Sequence, residues 1–184
     1  MIANEHAFSR RKLVKGFLGE MLGYIGKTAG INKKSKFLRP PGAIDELEFI
    51  STCLRCGKCQ VSCQKGCIEI LDQEKGIGLG TPYIQYKNQS CDFCLECIKV
   101  CRSGALLHPE DTELVIGNAH IHQYKCLAWQ GAICNNCVHS CKNKAIKLKD
   151  NRYPDIIEEL CRGCGACMIQ CFQQPTAIFI QPKN

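Results

Sequence analysis

The chain has 184 residues and 17 of them are cysteine, a proportion typical of disulfide-stapled secreted scaffolds and of metal-cluster proteins. With one Trp, five Tyr and seven Phe, it has few bulky side chains for a large apolar core, and its charged fraction of 22% argues against intrinsic disorder. The net charge of +7 comes from residues 1–40, which hold nine Lys or Arg and two Glu. The remaining residues are neutral overall, which argues against a basic groove for nucleic acid.

Residues 1–38 are predicted to form a basic amphipathic arm. Its apolar residues recur at helical spacing from Leu13 to Ile25, with basic residues gathered at both ends. This pattern predicts a helical arm that contacts an anionic membrane surface or a partner's groove through residues 9–36. No run of 18 or more apolar residues, the length of a membrane span, occurs in the sequence.

Four cysteine groups follow the arm with a period of about 35 residues, which identifies an internal repeat. Three groups share the spacing Cys-x2-Cys-x2-Cys-x3-Cys, and seven residues separate the first two cysteines of the third group. The groups are Cys53, Cys56, Cys59 and Cys63; Cys91, Cys94, Cys97 and Cys101; Cys126, Cys134, Cys137 and Cys141; and Cys161, Cys164, Cys167 and Cys171. Cys67 is left over, and its position at the start of a predicted strand is typical of a small buried residue, with a spare ligand or redox thiol as the alternative.

The cysteine spacing favours iron–sulfur clusters. Three thiols two residues apart surround a cubane, and the fourth cysteine reaches the neighbouring cluster in two-cluster ferredoxins. Structural zinc is the alternative, although its knuckles stand a dozen or more residues apart. Disulfides would leave an odd cysteine. We therefore predict four 4Fe–4S clusters, with the sixteen grouped cysteines as iron ligands.

Short strand patterns flank the cysteine groups. They cover residues 68–71, 83–86, 119–122, 145–148 and 177–180, with turn residues at 76–80 and 150–152. The predicted fold is α+β, with two bacterial-ferredoxin-like dicluster modules built from four cysteine-loop repeats and short β-hairpins. The first module would span residues 39–112 and the second residues 113–184.

The shortest gap between groups, 19 residues, lies between Cys141 and Cys161, which is enough for one hairpin. We therefore pair groups one with two and three with four. A nested arrangement, one with four and two with three, is the alternative. The predicted ligand sets are Cys53, Cys56, Cys59 and Cys101; Cys91, Cys94, Cys97 and Cys63; Cys126, Cys134, Cys137 and Cys171; and Cys161, Cys164, Cys167 and Cys141.

Three segments carry a family resemblance that extends roughly over residues 39–184. Arg39–Ala43, Gly80–Tyr83 and Cys126–Gly131 resemble segments of the ferredoxin-type accessory proteins of periplasmic nitrate reductase and methylamine utilisation, the NapF, NapG and MauM group. The resemblance implies an electron carrier with four 4Fe–4S clusters. It also implies a redox partner protein, belonging to a membrane-bound or periplasmic oxidoreductase system.

No catalytic constellation, nicotinamide or flavin fingerprint is present in the sequence. The predicted function is therefore single-electron transfer by a carrier or complex subunit without a substrate site of its own. A second hypothesis is an accessory or maturation factor for a reductase, in which the clusters serve assembly. A third is a structural zinc protein that binds nucleic acid through the arm.

The sequence of the arm also indicates the cellular compartment in which the protein works. Ser9–Leu13 resembles a twin-arginine export segment, which would send a folded protein to the periplasm. However, Glu20 interrupts the apolar stretch, and no Ala-x-Ala cleavage site precedes Lys33. We predict an uncleaved arm on a cytoplasmic protein that is peripheral at the inner membrane, with twin-arginine export as the alternative.

Overall fold

The computed structural model describes residues 37–72, 78–108, 110 and 114–182. These residues form an α+β structure of short helices and three two-stranded antiparallel sheets. Residues 1–36 of the predicted arm lie outside the described residues, as do residues 111–113 at the predicted module boundary. The helical arm and the division at residue 112 therefore stay predictions.

The helices are α1 (Glu46–Thr52), α2 (Lys58–Val61), α3 (Glu96–Lys99), α4 (Asn136–Ser140) and α5 (Ala166–Ile169). The strands are β1 (Ile68–Ile70), β2 (Pro82–Ile84), β3 (Gly117–Ile121), β4 (Ile146–Lys149), β5 (Tyr153–Ile156) and β6 (Ile178–Pro182). Two 3₁₀ turns cover Gln123–Lys125 and Glu158–Leu160. Throughout the described ranges, every helix falls short of the length and apolar character that crossing a bilayer requires.

The second half of the molecule encloses one strand pair within another. Strands β4 and β5 form the inner hairpin, and β3 pairs with β6, the last strand, to form the outer pair. At the tip of the hairpin, Asp150 and Asn151 adopt φ values of 52° and 54°. Two successive left-handed residues are the signature of a type I′ turn, which matches the twist of the flanking strands.

The first half has the same layout with a shorter outer pair. Strands β1 and β2 form the inner pair, and the outer pair is a single antiparallel bridge between Ala43 and Leu106. Next to this bridge, Gly42 has φ 79°, and a Cβ there would lie 2.4 Å from the Leu107 carbonyl oxygen. Only glycine allows the two backbones to approach this closely. Five of the six strands lie where the sequence predicts them, shifted by up to two residues, and β5 was not predicted as a strand.

Helix α1, directly before the first cysteine group, was not predicted from the sequence. Glu46 and Glu48 occupy its first turn, where the helix dipole favours negative charge. Its Phe49 is fully buried, and the Arg39 guanidinium lies 4.8 Å from the centre of the Phe49 ring. The helix therefore anchors the first cysteine loop through one aromatic side chain and one buried cation.

The buried Arg39 joins two segments that carry the family resemblance, Arg39–Ala43 and Gly80–Tyr83. It forms a salt bridge with Glu46 at 2.5 Å. Its Nη1 also donates to Thr81 Oγ1 at 3.0 Å and to the Pro82 carbonyl oxygen at 2.7 Å. A buried charge is tolerated only when it is paired and hydrogen-bonded, and these contacts satisfy that condition.

The two halves share apolar packing. The main core cluster contains Phe49, Ile84 and Ile98 from the first half, and Met168 and Ile180 from the second half pack against it. A second cluster fills the space between the sheets of the second half. The halves are therefore not independent bodies joined only by a linker.

We expect the substitution Phe49→Ala to destabilise the protein by about 3–5 kcal/mol, the usual cost of deleting a buried aromatic ring. It also removes the ring beneath Arg39. Val61→Ala is the matched control, because Val61 is 87% exposed. Anaerobic urea unfolding followed by far-UV circular dichroism measures both, and equal midpoints for the two variants would contradict the anchoring role of Phe49.

Candidate metal centres

The structure sorts sixteen cysteines into four sets of four, each with three thiols from one group and one from its partner group. We name each set after the group that supplies three thiols. The sets are site 1 (Cys53, Cys56, Cys59, Cys101), site 2 (Cys91, Cys94, Cys97, Cys63), site 3 (Cys126, Cys134, Cys137, Cys171) and site 4 (Cys161, Cys164, Cys167, Cys141). This is the predicted grouping, and Cys63 lies with the second group, as the pairing of neighbouring groups requires.

Sites 2, 3 and 4 each surround a cavity, and the three cavities are similar in size. Their volumes are about 320, 360 and 380 Å³ respectively. The four cysteines of each site line its cavity, and Cys67 is a fifth cysteine in the lining of the site 2 cavity. Most of the remaining lining is apolar, including Ile68 and Ile84 at site 2 and Ile146 and Ile180 at site 4. Four soft thiolate donors around an enclosed apolar space fit an iron–sulfur cubane.

Site 1 is identified by the electrostatic influence of its other three thiols on the pKa of Cys59. The pKa of Cys59 is raised to about 11, chiefly by burial. The charges of Cys53, Cys101 and Cys56 contribute further to this increase. The fourth cysteine of the second group therefore lies beside three thiols of the first group.

The loops of the three tight groups turn in the same way. The residue after the second cysteine adopts a left-handed conformation, with φ 70° at Gly57, 65° at Leu95 and 85° at Gly165. A short helix begins at the next residue and carries the third cysteine. In the widened third group the equivalent Asn135 has φ −140°, so this loop reaches α4 by a different path.

Hydrogen bonds reach the sulfur atoms of two of the fourth cysteines. The Ala145 N–H donates to Cys141 Sγ at 3.2 Å, and Ser103 Oγ lies 3.5 Å from Cys101 Sγ. Burial alone raises the pKa of Cys101, but the bonds from Ser103 and nearby backbone N–H groups outweigh it and lower that pKa. These donors stabilise negative charge on sulfur, which is the form that binds iron.

The third cysteines of several groups are buried, and burial raises their pKa. The pKa of Cys97 is raised to about 12 and that of Cys137 to about 11, in both cases mainly by desolvation. Without a cation these thiols are neutral at physiological pH. Iron binding must therefore displace their protons, which couples metal binding to pH.

Cys67 lies directly against site 2. It is 2% exposed and precedes β1, in agreement with its interpretation as a small buried residue. Its Sγ lies 3.6 Å from Cys63 Sγ, and it lines the same cavity as the site 2 thiols. The repeated cysteine spacing does not predict this contact, because Cys67 falls outside it.

Trp129, in the widened third loop, packs inward. Its Nε1 donates to the Pro154 carbonyl oxygen at 3.3 Å, and its ring lies 4.7 Å from that of Tyr153. It also packs against the apolar cluster that contains Cys126 of site 3. This packing supports a role for Trp129 as a cover over site 3.

Histidines take no part in the four sets. The rings of His120 and His122 stack on Phe179 at centroid distances of 5.4 and 4.3 Å. Within the described ranges, no group of three or more His, Cys, Asp or Glu side chains is arranged to hold a single metal ion.

The comparisons with known proteins agree with this geometry. The family model of the 4Fe-4S dicluster domain matches residues 52–105, which include the first two cysteine groups. The chain is 34% identical to the ferredoxin-type protein NapG of Escherichia coli (strain K12) over 168 residues, 80% of this chain and 71% of that protein. It is 34% identical to the ferredoxin-type protein NapF of the same strain over 148 residues, 76% of this chain and 82% of that protein.

A third relative comes from a different bacterium. The methylamine utilization ferredoxin-type protein MauM of Methylobacillus flagellatus is 31% identical over 161 residues, 80% of this chain and 69% of that protein. Identity at this level extends over most of each chain, and the matched 4Fe–4S domain coincides with sites 1 and 2. The chain therefore belongs to the ferredoxin-type iron–sulfur proteins of the NapG, NapF and MauM family.

Proposed function

We propose that this chain is an electron-transfer protein that carries four 4Fe–4S clusters and passes single electrons to or from a redox enzyme. The observation that carries the proposal is the sorting of sixteen cysteines into four sets, each with three thiols from one loop and one from its partner. Such sets hold clusters in two-cluster ferredoxins. The clusters would supply the redox chemistry, and the chain would hold them and set their surroundings.

Each of the four sites would bind one cluster through its four thiolates. The soft thiolate donors and the apolar cavity linings support this assignment. Buried apolar surroundings and hydrogen bonds to sulfur are the means by which a protein adjusts a cluster's reduction potential.

The proposed partner is a membrane-bound or periplasmic oxidoreductase system. The support for it is the family, since one relative is named for methylamine utilization and all three are named as ferredoxin-type proteins. A protein that only carries electrons needs both an electron donor and an electron acceptor.

Metal analysis tests the cofactor assignment directly. We expect the anaerobically purified protein to contain about sixteen iron and sixteen acid-labile sulfide per chain, since four complete cysteine sets would each bind a four-iron, four-sulfide core. Inductively coupled plasma mass spectrometry and a colorimetric sulfide assay measure these contents. One or two zinc per chain without visible charge-transfer absorption would overturn the proposal.

The hydrogen bond between Ser103 and Cys101 gives a test specific to site 1. We expect Ser103→Ala to lower the potential of one of the four couples by up to roughly 40 mV, because the more anionic reduced cluster loses a donor worth about 1 kcal/mol. A redox titration monitored by EPR measures the shift.

Ser140→Ala is the matched control for Ser103→Ala. The Ser140 hydroxyl donates to the Cys137 carbonyl oxygen at 3.0 Å and not to a sulfur. Equal shifts in the two variants would contradict a role of the Ser103 hydroxyl at the sulfur.

We further propose that the arm stays attached and that the protein works on the cytoplasmic side of the inner membrane. The support is in the sequence, where Glu20 interrupts the apolar stretch and no Ala-x-Ala cleavage site precedes Lys33. We expect N-terminal sequencing of protein from fractionated cells to find the intact arm in the cytoplasmic or membrane fraction.

The conservative double variant Arg10→Lys, Arg11→Lys keeps the charge of the arm and removes the twin-arginine pair. We expect its distribution among the fractions to equal that of the unaltered protein. A periplasmic form that begins near residue 30, absent from the double variant, would show that export is the correct alternative.

A further inference from the structure

The two halves of the molecule are hydrogen-bonded to each other at Cys91 and Cys164, and we call this contact the junction. The backbone N–H of Cys91 donates to the carbonyl oxygen of Cys164 at 2.9 Å. Cys91 belongs to site 2 in the first half, and Cys164 belongs to site 4 in the second half. One hydrogen bond therefore joins the main chains of two residues whose side chains line different sites.

Tyr86 holds the backbone on both sides of Cys164. Its hydroxyl donates to the Gly163 carbonyl oxygen at 2.5 Å, and the side chain is buried. Its ring packs so closely on Gly165 that a Cβ there would lie 2.6 Å from the ring. This close approach depends on the glycine and fixes the distance between the loops of sites 2 and 4.

Arg162 makes a further contact between the two halves at the junction. Its guanidinium lies 4.4 Å from the centre of the Phe93 ring, in the loop between Cys91 and Cys94. Its Nε donates to the Leu114 carbonyl oxygen at 3.1 Å, and its own carbonyl oxygen accepts the N–H of Ile116 at 3.1 Å. The loops of sites 2 and 4 are thus bound together by backbone and side-chain contacts.

Within each half, the two sites also adjoin. Helices α2 and α3, which carry Cys59 of site 1 and Cys97 of site 2, pack against each other. Helices α4 and α5, which carry Cys137 of site 3 and Cys167 of site 4, do the same. The contacts therefore connect site 1 to site 2, site 2 to site 4, and site 4 to site 3.

We propose that the four clusters form one unbranched row in the order 1, 2, 4, 3, and that electrons cross between the halves at the contact of Cys91 with Cys164. This inference rests on the proposed function, since it needs clusters in the sites. The order in space differs from the order in sequence, because the second half is attached through its fourth cysteine group. Sites 1 and 3 then stand at the two ends of the row.

The surface agrees with this order of sites. Of the large apolar side chains exposed in the described residues, Leu54 and Val61 lie in the site 1 loops, at 68% and 87% exposure. Ile133 and Phe172 lie beside Cys134 and Cys171 of site 3, at 102% and 77% exposure. Leu160, beside Cys161 of site 4, is less exposed at 44%. Contiguous exposed apolar patches mark protein contacts, and the most exposed large apolar side chains lie near the two ends of the row.

Double variants that keep two clusters test the order. Cys56→Ala with Cys134→Ala removes a ligand from sites 1 and 3 and leaves sites 2 and 4. Cys94→Ala with Cys164→Ala is the matched control that leaves sites 1 and 3. After reduction with dithionite, we expect the EPR spectrum of the first protein to show magnetic coupling between its clusters, and that of the control to be the sum of two isolated signals.

A first protein whose spectrum is the sum of isolated signals, or a control with equal coupling, would overturn the proposed order. Iron analysis separates this result from failure of the proposed function, because each double variant should retain about eight iron per chain. If the unaltered protein bound no iron, the cluster assignment itself would be wrong.

A second pair of variants keeps all sixteen thiols. Gly165→Ala places a methyl group against the Tyr86 ring, so we expect it to weaken the coupling between sites 2 and 4 measured by pulsed EPR on the four-cluster protein. Gly104→Ala is the control, since Gly104 has a similar φ of 78° but open space around its Cβ position. With full iron content in both, an unchanged coupling in Gly165→Ala would contradict the crossing at this junction.

Discussion

The architecture follows from how the thiols are shared. Each cysteine loop supplies three thiols to its own site, and its fourth cysteine lies in the site of its partner loop, so paired loops must face each other. The short helices and two-stranded sheets between the loops would be marginal alone in water. The third cysteines Cys59, Cys97 and Cys137 have a pKa raised mainly by burial, so the unmetallated sites hold protons that a cluster would replace. In a chain with few bulky apolar side chains, we infer that cluster binding supplies much of the folding free energy.

The two halves hold their paired cysteine loops together by different contacts. In the second half, the five-residue pairing of β3 with β6 closes the structure around sites 3 and 4. In the first half, this pairing is reduced to the bridge between Ala43 and Leu106. The buried Arg39 network lies on the same side of the first half, where it ties helix α1 to the segment before β2. In the first half, a paired and hydrogen-bonded cation thus adds a contact between helix α1 and the inner strand pair.

Two arginines near the cysteines hold loops in place through their guanidinium groups. Arg55, two residues after Cys53, donates from its guanidinium to the carbonyl oxygens of Leu79, Cys53 and Ile50. Arg162 stacks on an aromatic ring from the other half. A guanidinium presents several donors in a fixed plane, so one side chain can both fix a loop and leave positive charge near the sulfur atoms.

The sequence by itself determined the four cysteine groups, because cluster ligands follow a fixed local spacing. The short gap between Cys141 and Cys161 favoured the pairing of neighbouring groups, but the nested alternative stayed open until the structure placed Cys63 beside Cys91. It also located five of the six strands, since their apolar pattern and the neighbouring turn residues are local signals. It did not predict helix α1, the contact of Cys67 with site 2 or the junction of Cys91 with Cys164. Helix α1 and the junction depend on side chains or carbonyl groups far apart in the chain, such as Arg39 with Thr81 and Tyr86 with Gly163. Cys67 shares its cavity with Cys91 and Cys94, which are also distant in the chain. Only tertiary packing decided these contacts, because nothing in the local spacing of either partner specifies the other.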